Sequence, residues 1–391
     1  MRILSNMKDL KYQTSNNIVP ILILLLALIL GGCNKPDKKV FPYAFNKSNS
    51  LIFEIDKNTT NNVYRSQIVQ LQSEKSLMVF DVILSELNFF SLNSKEQIHK
   101  TKINKEGPFG IKTANSVHYH NQDSIFVYSF QQGLFLINHL GHVVTKLDTF
   151  GEINESKLVE PAFPSSNSIY YDNGNILYTN YLGRLNPEQL YIYNTSFEVE
   201  KAFIPFPDIY NKDLNQAYYY SWFTINQSII YLSMTLSNEI IVFDLNSRSI
   251  KKQYMGIENF STPKKHYIEN SLKFTAEPKA VEKMIKRMYK HPLYGPIIYN
   301  KKFNVLHRVC FMPVENRSDL YSGSYPRNLM IITSDLTGNI LSQDVINNET
   351  GTLLAEFPEM TWFCHEGNIY IQIDNQNEDN IEFQKFVYEK K

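Results

Sequence analysis

The sequence predicts an all-β fold: a six-bladed β-propeller whose N-terminal strand closes the ring, with one helical insert, behind an export leader. Three observations carry this. Aromatic residues suited to pleated, half-buried surfaces are abundant, with 25 Tyr and 25 Phe against 15 Gly and 2 Trp. Short apolar runs ending in a polar turn residue recur along the chain, and each is flanked by further strand-like stretches. The recurrence has the period of a propeller blade rather than of a helical repeat.

The first element is the leader. Arg2, Lys8 and Lys11 precede an apolar run at 18–30, broken only by Pro20. A basic start, a short apolar core and small residues before a cleavage point make a secretory signal peptide over 1–32. A membrane span needs about 20 apolar residues, so this run is too short to serve as an anchor. Leu30-Gly31-Gly32-Cys33 resembles a bacterial lipoprotein lipobox. The resemblance implies that the Cys33 thiol takes a diacylglyceryl group and becomes an acylated N-terminus, so that the membrane is a partner through the lipid anchor. Asn34 rather than Asp after the cysteine points to the outer membrane, periplasmic or surface-facing. Residues 33–48 are expected to be a flexible tether, and 49–391 the propeller.

The repeat follows. Runs ending at Asn93, Asn138, Asn194 and Asp244 are spaced 45, 56 and 50 residues apart. Strand-like stretches precede them at 77–84, 124–130, 175–180 and 228–235, and more polar ones follow at 97–103, 142–147, 197–203 and 249–255. Two further units start at Asn328 and Asn368. Strands of this length joined by Asn, Gly and Ser turns make successive antiparallel hairpins, and blades of about 40–50 residues are the propeller signature. The last unit lacks a strand, which Leu51-Ile52-Phe53-Glu54-Ile55 can supply from the other end of the chain. Such a closure removes exposed sheet edges. One segment breaks the pattern. Val281, Met284, Ile285 and Met288 have the i, i+3, i+4, i+7 spacing of an amphipathic helix over 277–290, with Pro278 in its first turn and Pro292 beyond its end.

Tyr294-Gly295-Pro296-Ile297-Ile298-Tyr299-Asn300, Leu306-His307-Arg308 and Glu106-Gly107-Pro108-Phe109-Gly110 together resemble an uncharacterised family of Bacteroidota propeller lipoproteins. Its members look like a lipobox followed by a six-bladed, NHL-like propeller. They often carry Asp where Asn300 stands and an aromatic where His307 stands. The resemblance covers the mature chain and implies fold and compartment; the family has no established activity.

The chemistry is sparse. The 39 Lys and Arg balance 39 Asp and Glu, which leaves no basic excess to attract nucleic acid. His118 and His120 stand at i, i+2 on an expected strand, a spacing that puts both imidazoles on one face, but no third metal ligand is legible. His139 and His142 flank a turn. Cys310 and Cys364 each sit in an apolar run; an oxidising compartment permits a disulfide between them, and small buried hydrophobes is the plainer reading. Asp81, Asp123, Glu160, Asp213, Glu258 and Glu366 are carboxylates available to a funnel, and nothing singles out a glycosidase pair. No catalytic residue, cofactor or metal site is assigned. Aromatics concentrate at Tyr218-Tyr219-Tyr220-Ser221-Trp222 and at 292–299. The candidate binding rim is therefore Tyr294, Tyr299, Arg308, Tyr325, Arg327 and Trp362, facing a protein or glycan partner. The expectation is a monomeric cell-envelope lipoprotein acting as a binding or assembly module. The alternatives are a glycan-active enzyme with carboxylates at the central funnel, or a purely structural envelope component.

Overall fold

A computed structural model describes residues 41–61, 63, 65–129, 132–147, 169–172, 175–179, 190–194, 199–200, 204, 221–257, 290–314, 327–347, 353, 361–374 and 377–391. Every extended element among them is a β-strand. Two strands come first, β1 (Tyr43–Lys47) and β2 (Leu51–Glu54). Five four-stranded blades follow. They are β3 (Arg65–Leu71), β4 (Glu74–Asp81), β5 (Glu86–Ser91) and β6 (Gln97–Lys102); then β7 (Ser116–Asn121), β8 (Ser124–Ser129), β9 (Gly133–Ile137) and β10 (Val143–Leu147); then β11 (Ile169–Asp172), β12 (Asn175–Thr179), β13 (Leu190–Asn194) and β14 (Val199–Glu200). The fourth blade is β15 (Ser221–Asn226), β16 (Ile229–Met234), β17 (Glu239–Asp244) and β18 (Ile250–Tyr254), and the fifth is β19 (Leu293–Asn300), β20 (Val305–Phe311), β21 (Leu329–Asp335) and β22 (Ile340–Ile346). The closing sheet is five-stranded: β23 (Trp362–His365), β24 (Asn368–Ile373) and β25 (Asn380–Lys390), completed by β1 and β2.

The expected closure is present and larger than expected. Strand β2 pairs with the first part of β25, Leu51 opposite Phe383 and Phe53 opposite Ile381. Strand β1 pairs with the last part, Tyr43 opposite Lys390 and Lys47 opposite Phe386. The sequence reading placed 43–47 in a flexible tether, and this is corrected: those residues are edge-strand backbone. Their burial does not alternate: Tyr43, Ala44 and Phe45 are half-buried, and Asn46 and Lys47 are exposed. Closure is fixed by packing as well as by the ladder. Phe53 is fully buried, its ring 5.3 Å from that of Phe90 in the first blade and 6.2 Å from that of Phe383. The expected helix over 277–290 lies outside the described residues, except for Lys290, which stands in a turn.

Each sheet starts from its innermost strand, and these pack against one another around the axis. Strand β3 contacts β7 and β23, β7 contacts β11, and β19 contacts both β15 and β23. The third and fourth blades meet through β12 and β15. Middle strands carry the apolar core; β20 is buried along its whole length. The outer strands are exposed, as β18 shows with Ile-Lys-Lys-Gln-Tyr.

Two buried polar clusters tie sheets together. Arg308, fully buried on β20, donates from Nε to Ser233 Oγ at 2.8 Å and from Nη1 to the Met255 carbonyl at 2.8 Å. Its Nη2 donates to the carbonyls of Met234 at 3.0 Å and Ser237 at 2.7 Å. The guanidinium also lies 4.1 Å from the centre of the Tyr294 ring. Arg308 thus rivets the fifth blade to the fourth. At the next seam, Asn300 Nδ2 donates to His307 Nε2 at 2.9 Å and to the Gly367 carbonyl at 3.0 Å. An amide NH2 has only donors, so Nε2 accepts, Nδ1 carries the proton, and Nδ1 donates to Thr333 Oγ1 at 2.8 Å. The rings of Phe45 and Tyr388 stand edge-on to His307 at 5.1 and 5.0 Å. Burial holds this histidine far below its ordinary range, at about 3.

Candidate functional site

The site is built on the innermost strands, starting with β3. Arg65-Ser66-Gln67-Ile68-Val69-Gln70-Leu71 alternates imperfectly, since only its far end is apolar, yet it pairs along its full length with β4, Arg65 opposite Phe80 through Leu71 opposite Glu74. Its first four residues form part of a cavity wall. The cavity, of about 140 Å³, is lined by Arg65–Ile68, Trp222 and Phe223 of β15, Pro296–Ile298 of β19, and Thr361–Cys364 at β23. That is room for about five waters at liquid density. Arg65, Trp222 and Trp362 occupy the first or second position of their strands, so they gather at one end of the channel. Pro296 reaches the wall through an irregularity. The pairing of β19 with β20 shifts register between Tyr294 and Ile297, where Gly295-Pro296 stands, as expected of a residue that cannot donate to the ladder.

The electrostatics of this end are simple. Arg65 is buried and donates from Nη1 to Ser116 Oγ at 2.9 Å. Burial lowers its pKa to about 9, which leaves it cationic at neutral pH. His118, buried beside it on β7, is held well below the usual imidazole range, first by burial and then by the charges of Arg65 and His120. Its ring stacks obliquely, 5.2 Å from that of Tyr170. Among the described lining residues Arg65 is therefore the sole cation, and none is acidic. Gln67 has both ends of its amide committed to the Tyr119 backbone, Nε2 donating to the carbonyl at 2.7 Å and Oε1 accepting from the N–H at 3.1 Å. Ser66 Oγ donates to the Trp362 carbonyl at 3.2 Å, and Thr361 Oγ1 to the Val63 carbonyl at 2.7 Å. With their protons so directed, both hydroxyls keep acceptor capacity. The Cys364 thiol is pushed up to about 12 by burial, so it stays protonated and is a poor nucleophile.

The residues chosen from sequence distribute differently. Tyr294, Arg308 and Arg327 are buried, so they serve packing within and between blades rather than a rim. Arg327 donates from Nε to the Met312 carbonyl at 2.7 Å and from Nη2 to the His291 carbonyl at 2.6 Å. The Tyr294 hydroxyl accepts from the Ile257 N–H at 3.1 Å. Tyr299 is half-buried, its hydroxyl donating to Asn304 Oδ1 at 2.8 Å. Tyr325 lies outside the described residues. Of the five described residues, Trp362 alone is among the cavity's lining. The β7 ladder shifts register between Tyr119 and Asn121, and His118 is buried while His120 is exposed. No cluster of three metal-ligating side chains occurs among the described residues. Cys310 and Cys364 are both free. Asp81 is a buried turn acceptor for Thr60 Oγ1 at 2.5 Å and the Leu84 N–H at 2.9 Å. Asp123 stands in the β7–β8 turn and Glu366 in the β23–β24 turn. Glu160, Asp213 and Glu258 lie outside the described residues. Sequence reasoning missed Arg65 and Gln67; the only available signal was a polar tetrapeptide opening a β-rich stretch.

A family model described as a domain of unknown function, DUF4221, matches residues 42–337. The chain belongs to the DUF4221 family. A solved DUF4221 member from Bacteroides vulgatus superposes with a TM-score of 0.71 at 15% identity, covering 90% of this chain and 100% of that one. A protein described as exported, from Bacteroides fragilis, superposes with a TM-score of 0.55 at 10% identity, covering 90% of this chain and 98% of that one. At these identities the likeness is one of fold. No curated protein matches the chain.

Proposed function

We propose that this DUF4221 protein is a cell-envelope lipoprotein, held at the outer membrane through Cys33, whose propeller is a binding module that takes a small ligand at the end of its central channel. The observation that carries the reading is the convergence of Arg65, Trp222, Thr361 and Trp362 from three separate sheets on one cavity. A channel end where several rigid strands deliver a charge and aromatic surface is a binding site in the ordinary sense. The leader and Leu30-Gly31-Gly32-Cys33 support the compartment, as does the structural likeness to an exported Bacteroides fragilis protein.

The topology suits an anchored binder. Strand β1 begins opposite Lys390. Trp362 pairs with Ile371, which pairs with Gln384. The chain therefore joins the closing sheet six positions along β25 from the level of Trp362, about 20 Å at strand rise. Strand β1, the first strand of the propeller, therefore joins the closing sheet away from the level of the cavity. The test of the compartment is Cys33→Ala. The variant should move from the detergent-requiring membrane fraction to the soluble fraction, and unchanged fractionation would remove the lipid anchor from this reading.

A further inference from the structure

The connection between the first and second blades presents a surface of its own, apart from the channel. We propose that this loop, with Phe109 at its tip, dips into the surface of an anionic phospholipid bilayer, a second membrane contact besides the lipid anchor; the inference rests on the envelope reading above.

The tip is held outward. Residues 104–109 are all exposed, whereas Ile103, Ile111 and Ala114 are buried in the core beneath. Phe109 itself is 71% exposed. It stands at one corner of a turn closed by the Gly110 N–H, which donates to the Gly107 carbonyl at 3.0 Å. Pro108 holds the other corner, where its fixed φ is favoured. Gly107 has a φ of +86°, and a Cβ on Gly110 would stand 2.5 Å from the Lys105 carbonyl oxygen, so the backbone doubles back on itself. The base is braced as well. The Ile111 N–H donates to the Asn104 carbonyl at 2.8 Å; Gln132 Nε2 donates to the Gly110 carbonyl at 2.9 Å, and its Oε1 accepts from the Lys112 N–H at 2.6 Å. A loop fixed at this many points does not fold Phe109 inward, so cover for the ring comes from a partner.

The chemistry of the tip selects a bilayer over a protein. Pro108 has no N–H, and those of Gly110, Ile111 and Lys112 are bound within the fold, so the tip offers little hydrogen bonding. A protein interface draws about one hydrogen bond per 100–200 Å², whereas hydrocarbon asks for backbone groups already satisfied. Ile83, 53% exposed in the β4–β5 turn, adds apolar surface, and its carbonyl accepts from Lys105 Nζ at 3.1 Å. Over 102–112 three exposed lysines, Lys102, Lys105 and Lys112, stand against one acid, Glu106. Glu86, opposite Lys102 on β5, is taken by Lys100 at 3.5 Å. An aromatic tip flanked by lysines is matched by acyl chains beneath anionic headgroups. A lipid anchor keeps that surface within reach, so a small patch suffices.

The test is the lipidated full chain carrying Phe109→Trp, reconstituted in vesicles of phosphatidylethanolamine and phosphatidylglycerol. The native Trp222 and Trp362 are both buried, and the unaltered chain supplies their background. Emission from position 109 should shift to the blue and be quenched by lipids brominated on their acyl chains. Adding Lys102→Gln, Lys105→Gln and Lys112→Gln should reduce the inserted population about fivefold per lysine. Should the tryptophan variant fail to fold, amine labelling of the unaltered chain decides: Lys105 and Lys112 should react more slowly in these vesicles than in neutral phosphatidylcholine ones, while Lys251 on β18 keeps its rate. Quenching or labelling that is the same in neutral and anionic vesicles overturns the headgroup assignment. If the chain floats with the vesicles but position 109 stays unquenched, the loop contact is overturned and the lipid anchor stands. If the chain does not float at all, both fall. A photoreactive group at position 109 that gives discrete protein adducts in intact cells assigns the loop to a protein partner and likewise overturns the bilayer contact.

Discussion

Acid should open the seam between the fifth blade and the closing sheet, and His307 should be the main cause. The imidazole is fully buried, accepts from Asn300 and donates to Thr333, and sits edge-on to Phe45 and Tyr388. Its folded pKa is about 3, against about 6.5 in the unfolded chain. Above pH 6.5 the group is neutral in both states and contributes no pH dependence. Below pH 6.5 the unfolded chain takes up a proton that the folded chain refuses until about pH 3. Stability therefore falls through that window by about 1.4 kcal/mol per pH unit. At pH 5 the loss from this one group is about 2 kcal/mol, and by pH 3 it approaches about 5 kcal/mol. The assay is urea unfolding at pH 7.5 and pH 5.0 for the unaltered chain and for His307→Phe, which keeps the aromatic packing and removes the titration. The variant should lose about 1–2 kcal/mol at pH 7.5 through its missing hydrogen bonds. Between the two pH values it should lose about 2 kcal/mol less than the unaltered chain. The contribution of His118 is common to both chains and cancels in that difference. Equal losses in the two chains would refute the argument that His307 is buried and neutral.

Other perturbations follow from the same seams. Arg308→Lys keeps the charge but loses the fork that reaches Ser233, Met234, Ser237 and Met255; a loss of about 3 kcal/mol is expected in chemical denaturation, and a change under 1 kcal/mol would show the rivet to be dispensable. Phe53→Ala removes the ring that joins Phe90 to Phe383 across the closure. It should cost about 3–5 kcal/mol, and hydrogen exchange should rise first in the backbone of β2 and β25. Exchange that rises evenly over all the sheets would count against a local role in closure.

Much of the fold was legible because the middle strands announce themselves. Runs such as 133–137 and 239–244 are short, apolar and ended by turn formers, and in the structure they are β9 and β17. The N-terminal closure was legible for a related reason: a unit short of one strand and an unpartnered strand at the far end of the chain answer each other. The innermost strands were not recovered as a set. Arg65-Ser66-Gln67 opening β3, and Ser116-Val117-His118 opening β7, put polar residues where a strand template expects apolar ones. Those residues are buried or half-buried, and their partners lie on the neighbouring blade, as with Gln67 and the Tyr119 backbone. A pattern based on hydrophobic alternation cannot register that kind of burial. Arg308, Arg327 and Tyr294 mislead in the opposite direction, because an arginine or tyrosine reads as a rim residue until its hydrogen bonds are traced to groups inside the fold.

The cavity also sits astride the ring's own joint, and this gives ligand binding a mechanical consequence. Strand β23 belongs to the closing sheet and β3 to the first blade; they pack against each other, and both line the cavity. Ser66 donates to the Trp362 carbonyl across this joint, and Thr361 to the Val63 carbonyl. A ligand that contacts Arg65 and Ser66 on one side and Thr361 and Trp362 on the other binds only when the joint is shut. It should then stabilise the folded chain by about 2.7 kcal/mol at a hundred times its Kd. In Phe53→Ala, which weakens the same closure, the open form becomes more populated and the apparent affinity should fall in proportion to the closed fraction. Measuring urea midpoints and titrations of a solute that alters the emission of Trp222 and Trp362, which line the cavity, on both chains tests the coupling directly. If the ligand raises the midpoint of the unaltered chain while Phe53→Ala binds with unchanged affinity, the joint stays shut in that variant's native state and the coupling argument fails. A parallel fall in closure and affinity would mean that the two ends of the chain build the site between them.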